Sequence, residues 1–393
     1  MNRRDVFLKH LAPTSTHPVM LEVDSASGTM ITDTGGKQYY DLIAGIGVAT
    51  VGHNNPAIKK AITGQLDKHA HVMVYGEYIQ SSVNQLALSL STLLPKQLNT
   101  SYFVNSGTEA NEAAMKLAKR ITGRNKIIAF RGGYHGNTQG SMSVSANEEK
   151  KSVYRPLIPG ISFIRFNSIE DLETITSDIA AVIIEPIQGD AGVIIPSQEF
   201  ITALRNKCSQ TGTQLIFDEV QTGIGRTGKM FAFEHFNIIP DIITLAKGLG
   251  GGMPIGAFIS SYENMQLLAD NPMLGHITTF GGNPVSCASA NAVLDIVSDA
   301  QFLDDVEKKG ALFEELLVHQ EIKTLRRIGL MIAIELENEE KVNNSIQQAL
   351  QEGVITYWFL STRNAFRISP PLTISYDEIK ASCKILLSVL DRI

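Results

Sequence analysis

Between about residues 50 and 290, short runs rich in β-branched residues alternate with stretches of helical periodicity. The runs lie at residues 101–104, 126–130, 180–184, 214–217 and 242–245. Such alternation builds βαβ units around a mostly parallel sheet, which places the chain in the α/β class. Several runs stop at, or one residue short of, a side chain with chemistry: Asn105 and Ser106, Glu185, Asp218 and Lys247. Ligands of open α/β sheets bind beyond the carboxyl ends of the strands, so this convergence marks a candidate site.

With 393 residues, 44% of them hydrophobic, the chain can bury a large core and hold two domains. After about residue 295 the texture changes. Two charged amphipathic helices are predicted around 301–319 and 339–352, flanking an apolar run at 327–335, and a further run follows at 365–369. This reads as a small α+β domain, joined by a hairpin predicted from segments 19–23 and 28–32. The expected division is a large domain over 46–294 and a small one built from 1–45 and 295–393.

A net charge of −6 gives no bulk electrostatic reason to expect nucleic acid or an anionic membrane as partner. No apolar run approaches the roughly 18–20 residues of a membrane span, and the basic first ten residues lack the apolar stretch of a signal peptide. Cys208, Cys287 and Cys383 stand far apart in no metal or redox spacing, which suits a reducing cytoplasm. His69 and His71 have no cysteine or acidic cluster beside them, so they read as a loop or helix-end pair and no metal is expected.

Lys247 follows an apolar run and precedes a glycine cluster ending at Gly252. Asp218 ends a neighbouring run. One strand end offers an amine and the other a carboxylate. Pyridoxal phosphate needs that pair: a lysine to hold its aldehyde as a Schiff base and an acid to keep its ring nitrogen protonated. Either residue alone is an ordinary surface charge; together the two contexts favour the cofactor. A desolvated lysine beside a cationic ring has a lowered pKa and can take and return a proton. Gln221, three residues after Asp218, could reach the cofactor phenolate, and Val220 could pack on the ring face. Ser106, Gly107 and Thr108 open a helix whose N–H groups and dipole suit a phosphate, although an ordinary cap has the same look. Tyr134, flanked by Gly133 and His135-Gly136, could stack on a planar ring or pack on the core. Thr279 lies in a hydroxyl-plus-glycine loop before a helix, where a phosphate donor and a plain turn remain equally open.

In these residues the chain resembles the class III pyridoxal-phosphate aminotransferases, of the acetylornithine and ornithine branch. The matching stretches are 44–48 with Gly52-His53, 105–112, 134–136, 185–189, 215–228, 240–252, 279–284 and 328–331, in order along nearly the whole chain. The resemblance implies fold-type I architecture: a large domain with a mainly parallel seven-stranded sheet, a small domain from both termini, and an obligate homodimer. It implies that Lys247 holds the cofactor, Asp218 pairs with the pyridine nitrogen, Gln221 neighbours the phenolate and Tyr134 stacks on the ring. Ser106, Gly107 and Thr108 would bind phosphate, with His135, Glu185 and Val220 completing the cofactor's surroundings and Thr279 serving the site of a second subunit. Arg367 matches the arginine that grips the 2-oxoglutarate carboxylate. Asp190 stands where the family has a glutamate that pairs with this arginine, and Asn137 where it commonly has an arginine for the donor's remote carboxylate. Tyr75, Glu77, Tyr78 and Arg131 fall in adjoining loops, as substrate candidates or as plain surface residues.

The expected protein is a cytoplasmic, dimeric aminotransferase. It moves a terminal amino group from a small amino acid or amine to a 2-oxo acid such as 2-oxoglutarate. Asn137 favours an alternative, an ω-amino acid or amine transaminase whose donor is not an α-amino acid. An aminomutase of the same fold and a cofactor-binding protein without turnover are the other rivals.

Overall fold

A computed structural model describes residues 2–393. Its frame is a seven-stranded sheet of β1 (Thr100–Val104), β2 (Lys126–Phe130), β3 (Ile161–Ile164), β4 (Ile179–Ile184), β5 (Gln214–Asp218), β6 (Ile242–Leu245) and β7 (Gly256–Ser260). The spatial order is β1-β7-β6-β5-β4-β2-β3. Strands β2 to β6 run parallel, while β7 is antiparallel to both β1 and β6. All six residues of β4 are buried, as expected of a central strand covered on both faces.

Side-chain alternation divides the strands between two apolar layers. Ile127, Ala129, Ala181, Ile183, Ile216, Ile242 and Phe258 face one layer, with the helix α1 (Gly107–Thr122) against them. That helix presents Ala113, Ala114, Leu117 and Ala118, mostly small side chains that let its axis lie close to the sheet. The alternate residues Ile128, Phe130, Val182, Ile184, Leu215, Phe217, Ile243 and Leu245 face the other layer, packed with Phe200, Leu204 and Cys208 of the helix Gln198–Thr211. Five strands coincide with the runs predicted from sequence; β3 and β7 do not.

The C-terminal quarter forms a four-stranded sheet from Thr324–Ile328, Met331–Glu335, Ala365–Ile368 and Tyr357–Trp358, with helices Ala300–Leu316, Glu339–Gln351 and Tyr376–Leu390. The run predicted over 327–335 is folded into a hairpin at Gly329, where φ is 52° and a Cβ would meet the backbone of Thr227 at 2.5 Å. Only glycine fits that approach. The N-terminal hairpin pairs Val23–Ser27 with Met30–Asp33, so its first arm lies later than the predicted 19–23. The cause is local: Gly28, with φ 57°, lies in the turn and not in the second arm. This hairpin continues through Gln38–Asp41 to Val354–Ile355, and Leu42 packs into the apolar cluster of Phe313, Ile332, Ile346 and Leu386. Met331, Ala333 and Phe359 pack instead against the layer of the large sheet. Among the described residues no helix is long and apolar enough to cross a membrane.

Candidate active site

Strands β5 and β6 are hydrogen-bonded neighbours, so Asp218 and the residues just after Leu245 emerge side by side at their carboxyl ends. The chain then leaves the strand abruptly: Lys247 has φ 44°, in the left-handed region, which costs a non-glycine residue about 1–3 kcal/mol. The turn aims its side chain into a cavity of about 480 Å³. Ser106, Gly107, Thr108, Tyr134, His135, Asn137, Glu185, Asp218, Val220, Gln221 and Lys247 all line that cavity. A larger groove of about 610 Å³ beside residues 193–195 and 325–328 has its arginines, Arg326 and Arg327, already paired with Glu335 and with Glu307 and Glu314. It receives no end of the large sheet's strands and carries no comparable chemistry.

The acid is held from behind. Asp218 Oδ2 accepts hydrogen bonds from Asn111 Nδ2 at 2.8 Å and pairs with His135 Nδ1 at 2.7 Å. Asn111 is itself fixed, its amide donating to the His135 carbonyl at 2.8 Å and its oxygen accepting from Thr244 Oγ1 at 2.7 Å. Asp218 Oδ1 accepts only the Val220 N–H, at 3.0 Å, and so keeps capacity for a donor in the cavity. A protonated ring nitrogen is such a donor. Asn111 and Thr244 went unnoticed in the sequence; the available signal was an asparagine on the small-residue face of α1.

Burial presses the Lys247 amine below its ordinary pKa; Asp218 opposes that shift and Arg367 adds to it. Burial also raises Glu185 to about 7, against the pull of His135 and with the charge of Asp218 adding to the rise. Glu185 accepts N–H bonds from Tyr134 at 2.9 Å and Gly189 at 3.0 Å, which fixes the loop that carries the cavity aromatic.

The same cavity receives the start of α1, which begins at Gly107 with Ser106 as its cap, Oγ accepting from Glu109 N–H at 3.3 Å. The Gly107 and Thr108 N–H groups have no helical acceptor and can take an anion. A Cβ on Gly107 would meet Val220 Cγ1 at 2.7 Å, so only glycine fits against Val220 at this helix start. The Thr108 hydroxyl is engaged with Thr138 Oγ1 at 2.7 Å, and Thr138 Oγ1 donates to Glu112 at 2.6 Å. These features suit a phosphorylated pyridine: one cavity holds an anion cradle, an acid with spare acceptor capacity and an amine.

The remaining sequence candidates lie elsewhere. Asp190 and Arg367 form a buried ion pair at 2.9 Å outside the cavity lining, close enough for their charges to act on Lys247. Thr279 is exposed and lies away from this chain's own cavity, 3.5 Å from the Tyr75 hydroxyl. Tyr75, Glu77, Tyr78 and Arg131 do not line the cavity. His69 accepts from Gln65 through its carbonyl, and the His71 ring lies 5.3 Å from Phe280.

The family model described as Aminotransferase class-III matches residues 11–390. The chain belongs to the class III aminotransferases. Over 386 residues, 95% of this chain and 93% of the relative, it is 40% identical to the acetylornithine aminotransferase of Corynebacterium efficiens. Its fold superposes with a TM-score of 0.90 on an amine transaminase from an uncultivated Pseudomonas species, solved with pyridoxal phosphate bound, at 28% identity and covering 98% of each chain. The ornithine aminotransferase of Toxoplasma gondii gives a TM-score of 0.91 at 25% identity, covering 98% of this chain and 94% of the other. This class III enzyme is therefore a pyridoxal-phosphate-dependent transaminase of fold type I.

Proposed function

We propose that this transaminase takes a terminal amino group from N-acetylornithine, or a close ω-amino relative, and passes it to 2-oxoglutarate. The observation that carries the chemistry is Lys247, a desolvated amine, opening into the same cavity as the free Oδ1 of Asp218. The donor rests on the 40% identity to an acetylornithine aminotransferase across nearly the whole chain.

Bound pyridoxal phosphate supplies an aldehyde that takes up the amino group and a ring that accepts the electrons released when the carbon–hydrogen bond breaks. The protein's residues do the rest. Lys247 anchors the cofactor and, once displaced, its Nζ takes the proton from the donor's amine-bearing carbon and returns it. A lowered pKa suits that task, because a larger fraction of the amine is neutral at neutral pH. Asp218, backed by Asn111 and His135, holds the ring nitrogen protonated through Oδ1. The Gly107 and Thr108 N–H groups, at a helix start capped by Ser106, would hold the phosphate, and Tyr134 and Val220 would pack on the ring. Gln221 reaches the phenolate, and Glu185 fixes Tyr134. Arg367 receives the carboxylate of the 2-oxo acid, with Asp190 as its resting partner.

The enzyme works as a homodimer, with Thr279 completing the phosphate site of a second copy. In support, the loops around Thr279 expose Ile79, Met273, Leu274 and Phe280, an apolar surface suited to covering. The proposed division is a large domain over 46–294 and a small one from both termini, supported by the packing of Leu42 into the C-terminal cluster. Three buried, unpaired cysteines fit a cytoplasmic home.

The test is a panel of amines and ω-amino acids offered to purified holoenzyme with and without 2-oxoglutarate, following glutamate. The proposal expects N-acetylornithine to be consumed beyond one equivalent per site only with the oxo acid present, and glutamate to form in equal amount to that further consumption. Rearrangement without an oxo acid would replace the reading with an aminomutase. A preferred donor lacking any carboxylate would overturn the substrate assignment.

A further inference from the structure

The Arg367–Asp190 pair has a third member. Asp190 Oδ1 accepts from Arg367 Nη2 at 2.9 Å and from Leu360 N–H at 2.8 Å, and Oδ2 accepts from the Ser361 hydroxyl at 2.9 Å. The carboxylate is buried, so both oxygens depend on protein donors. Leu360 and Ser361 sit in the turn between Tyr357–Trp358 and Ala365–Ile368, and Asn147 Nδ2 ties that turn to the body by donating to the Leu360 carbonyl at 3.1 Å. Arg367 is bound differently. Its Nε donates to the Trp358 carbonyl at 3.0 Å, its guanidinium lies 4.4 Å from the centre of the Phe359 ring, and Nη1 has no hydrogen-bond partner among the described residues.

Resting on the reading that Arg367 receives the 2-oxo acid, we propose that Asp190 is a fixed anion and Ser361 a positioning residue that sets how readily Arg367 is released to that substrate. When the incoming carboxylate takes Nη2, Asp190 loses one donor and keeps two. It remains solvated by Leu360 and Ser361 and need not swing away. The short aspartate side chain works here because the turn comes to it.

Without the Ser361 hydroxyl, the buried Asp190 charge leans harder on Arg367. An entering dicarboxylate must then break a tighter pair. One hydrogen bond of ordinary net strength corresponds to a weakening of roughly three- to tenfold. The donor's amino group is directed to the cofactor position beside Lys247 and does not compete for that pair.

The experiment titrates glutarate, a dicarboxylate without the oxo group, into wild-type holoenzyme and the Ser361→Ala, Ser361→Thr and Arg367→Gln variants by calorimetry. Steady-state and single-turnover kinetics run in parallel. Ser361→Ala is expected to weaken glutarate binding and raise the KM for 2-oxoglutarate by the same roughly three- to tenfold factor. The single-turnover rate with N-acetylornithine should hold within about twofold, since no hydrogen bond to the reacting groups is lost. Ser361→Thr, which keeps the hydroxyl, should restore both. Unchanged glutarate affinity in Ser361→Ala would overturn the proposal, as would equal losses in both half-reactions, the mark of a merely structural residue. Glutarate binding as tightly to Arg367→Gln as to wild type would instead remove the carboxylate reading on which the proposal stands.

Discussion

Lys247 combines a strained backbone with a desolvated amine, and both follow from where the strand ends. A flexible lysine would spend most of its time in solvent; a residue locked at φ 44° above a buried acid cannot. Asn137 lines the same cavity with an amide in place of a charge, and the proposed donor makes it a residue to test for substrate affinity. Asn137→Arg should lower the KM for N-acetylornithine by roughly tenfold, the difference between a neutral and a charge-assisted hydrogen bond. Initial-rate kinetics at saturating 2-oxoglutarate would show it, and no gain would place the donor's carboxylate elsewhere. Lys247 and Asp218 were legible in the sequence because a strand end is a local pattern with a fixed direction. Ser361 was not, because its partner Asp190 lies 171 positions away and only the tertiary fold brings them together. Asn111 was hidden for another reason: inside a helix an asparagine reads as a poor helix former, and its role appears only once the Asp218 carboxylate is found against it.

Among the elements, the end of β5 is clamped by a second buried acid. Glu219 accepts from Ala232 and Phe233 N–H and from the Thr222 hydroxyl, all at 2.8 Å, tying the strand end to the following turn. Burial raises its pKa to about 7, against those donors. The folded protein therefore keeps a proton that the unfolded chain has released, from about pH 4.5 up to about 7. Stability from this group falls as pH rises through that window, by up to about 3 kcal/mol at its top. Glu219→Gln cannot titrate. The melting temperature of this variant relative to wild type should rise from pH 5 to pH 7.5, and a flat difference would contradict the assignment. Four of the five strands readable from sequence are apolar runs that the sheet buries almost throughout; the fifth, β1, is an edge strand read from the buried Phe103 and Val104 at its end. Strand β3 escaped notice because it is a short edge strand with mixed exposure, and β7 because it opens on a glycine and runs against its neighbours. The N-terminal hairpin was seen but set too early, since its turn residues carry no apolar period.

Across the whole molecule, the sheet brings residues from four strand ends into one cavity, while Thr279 does not line it. The proposed composite dimer would account for that separation, and it makes a quantitative prediction. Lys247→Ala and Thr279→Ala proteins, each defective at limiting cofactor, should recover roughly a quarter of wild-type activity when co-expressed, because random pairing makes half the dimers mixed and each mixed dimer holds one intact site. No recovery would mean that Thr279 serves no second subunit. The expectation of a dimer rests on family resemblance alone, since no residue pattern within one chain states what lies across an interface. The most direct measurement of the central claim is borohydride reduction of the cofactor-loaded enzyme followed by peptide mass mapping. The pyridoxyl mass should fall on Lys247 alone; its appearance on any other lysine, with Lys247 unmodified, would contradict the account.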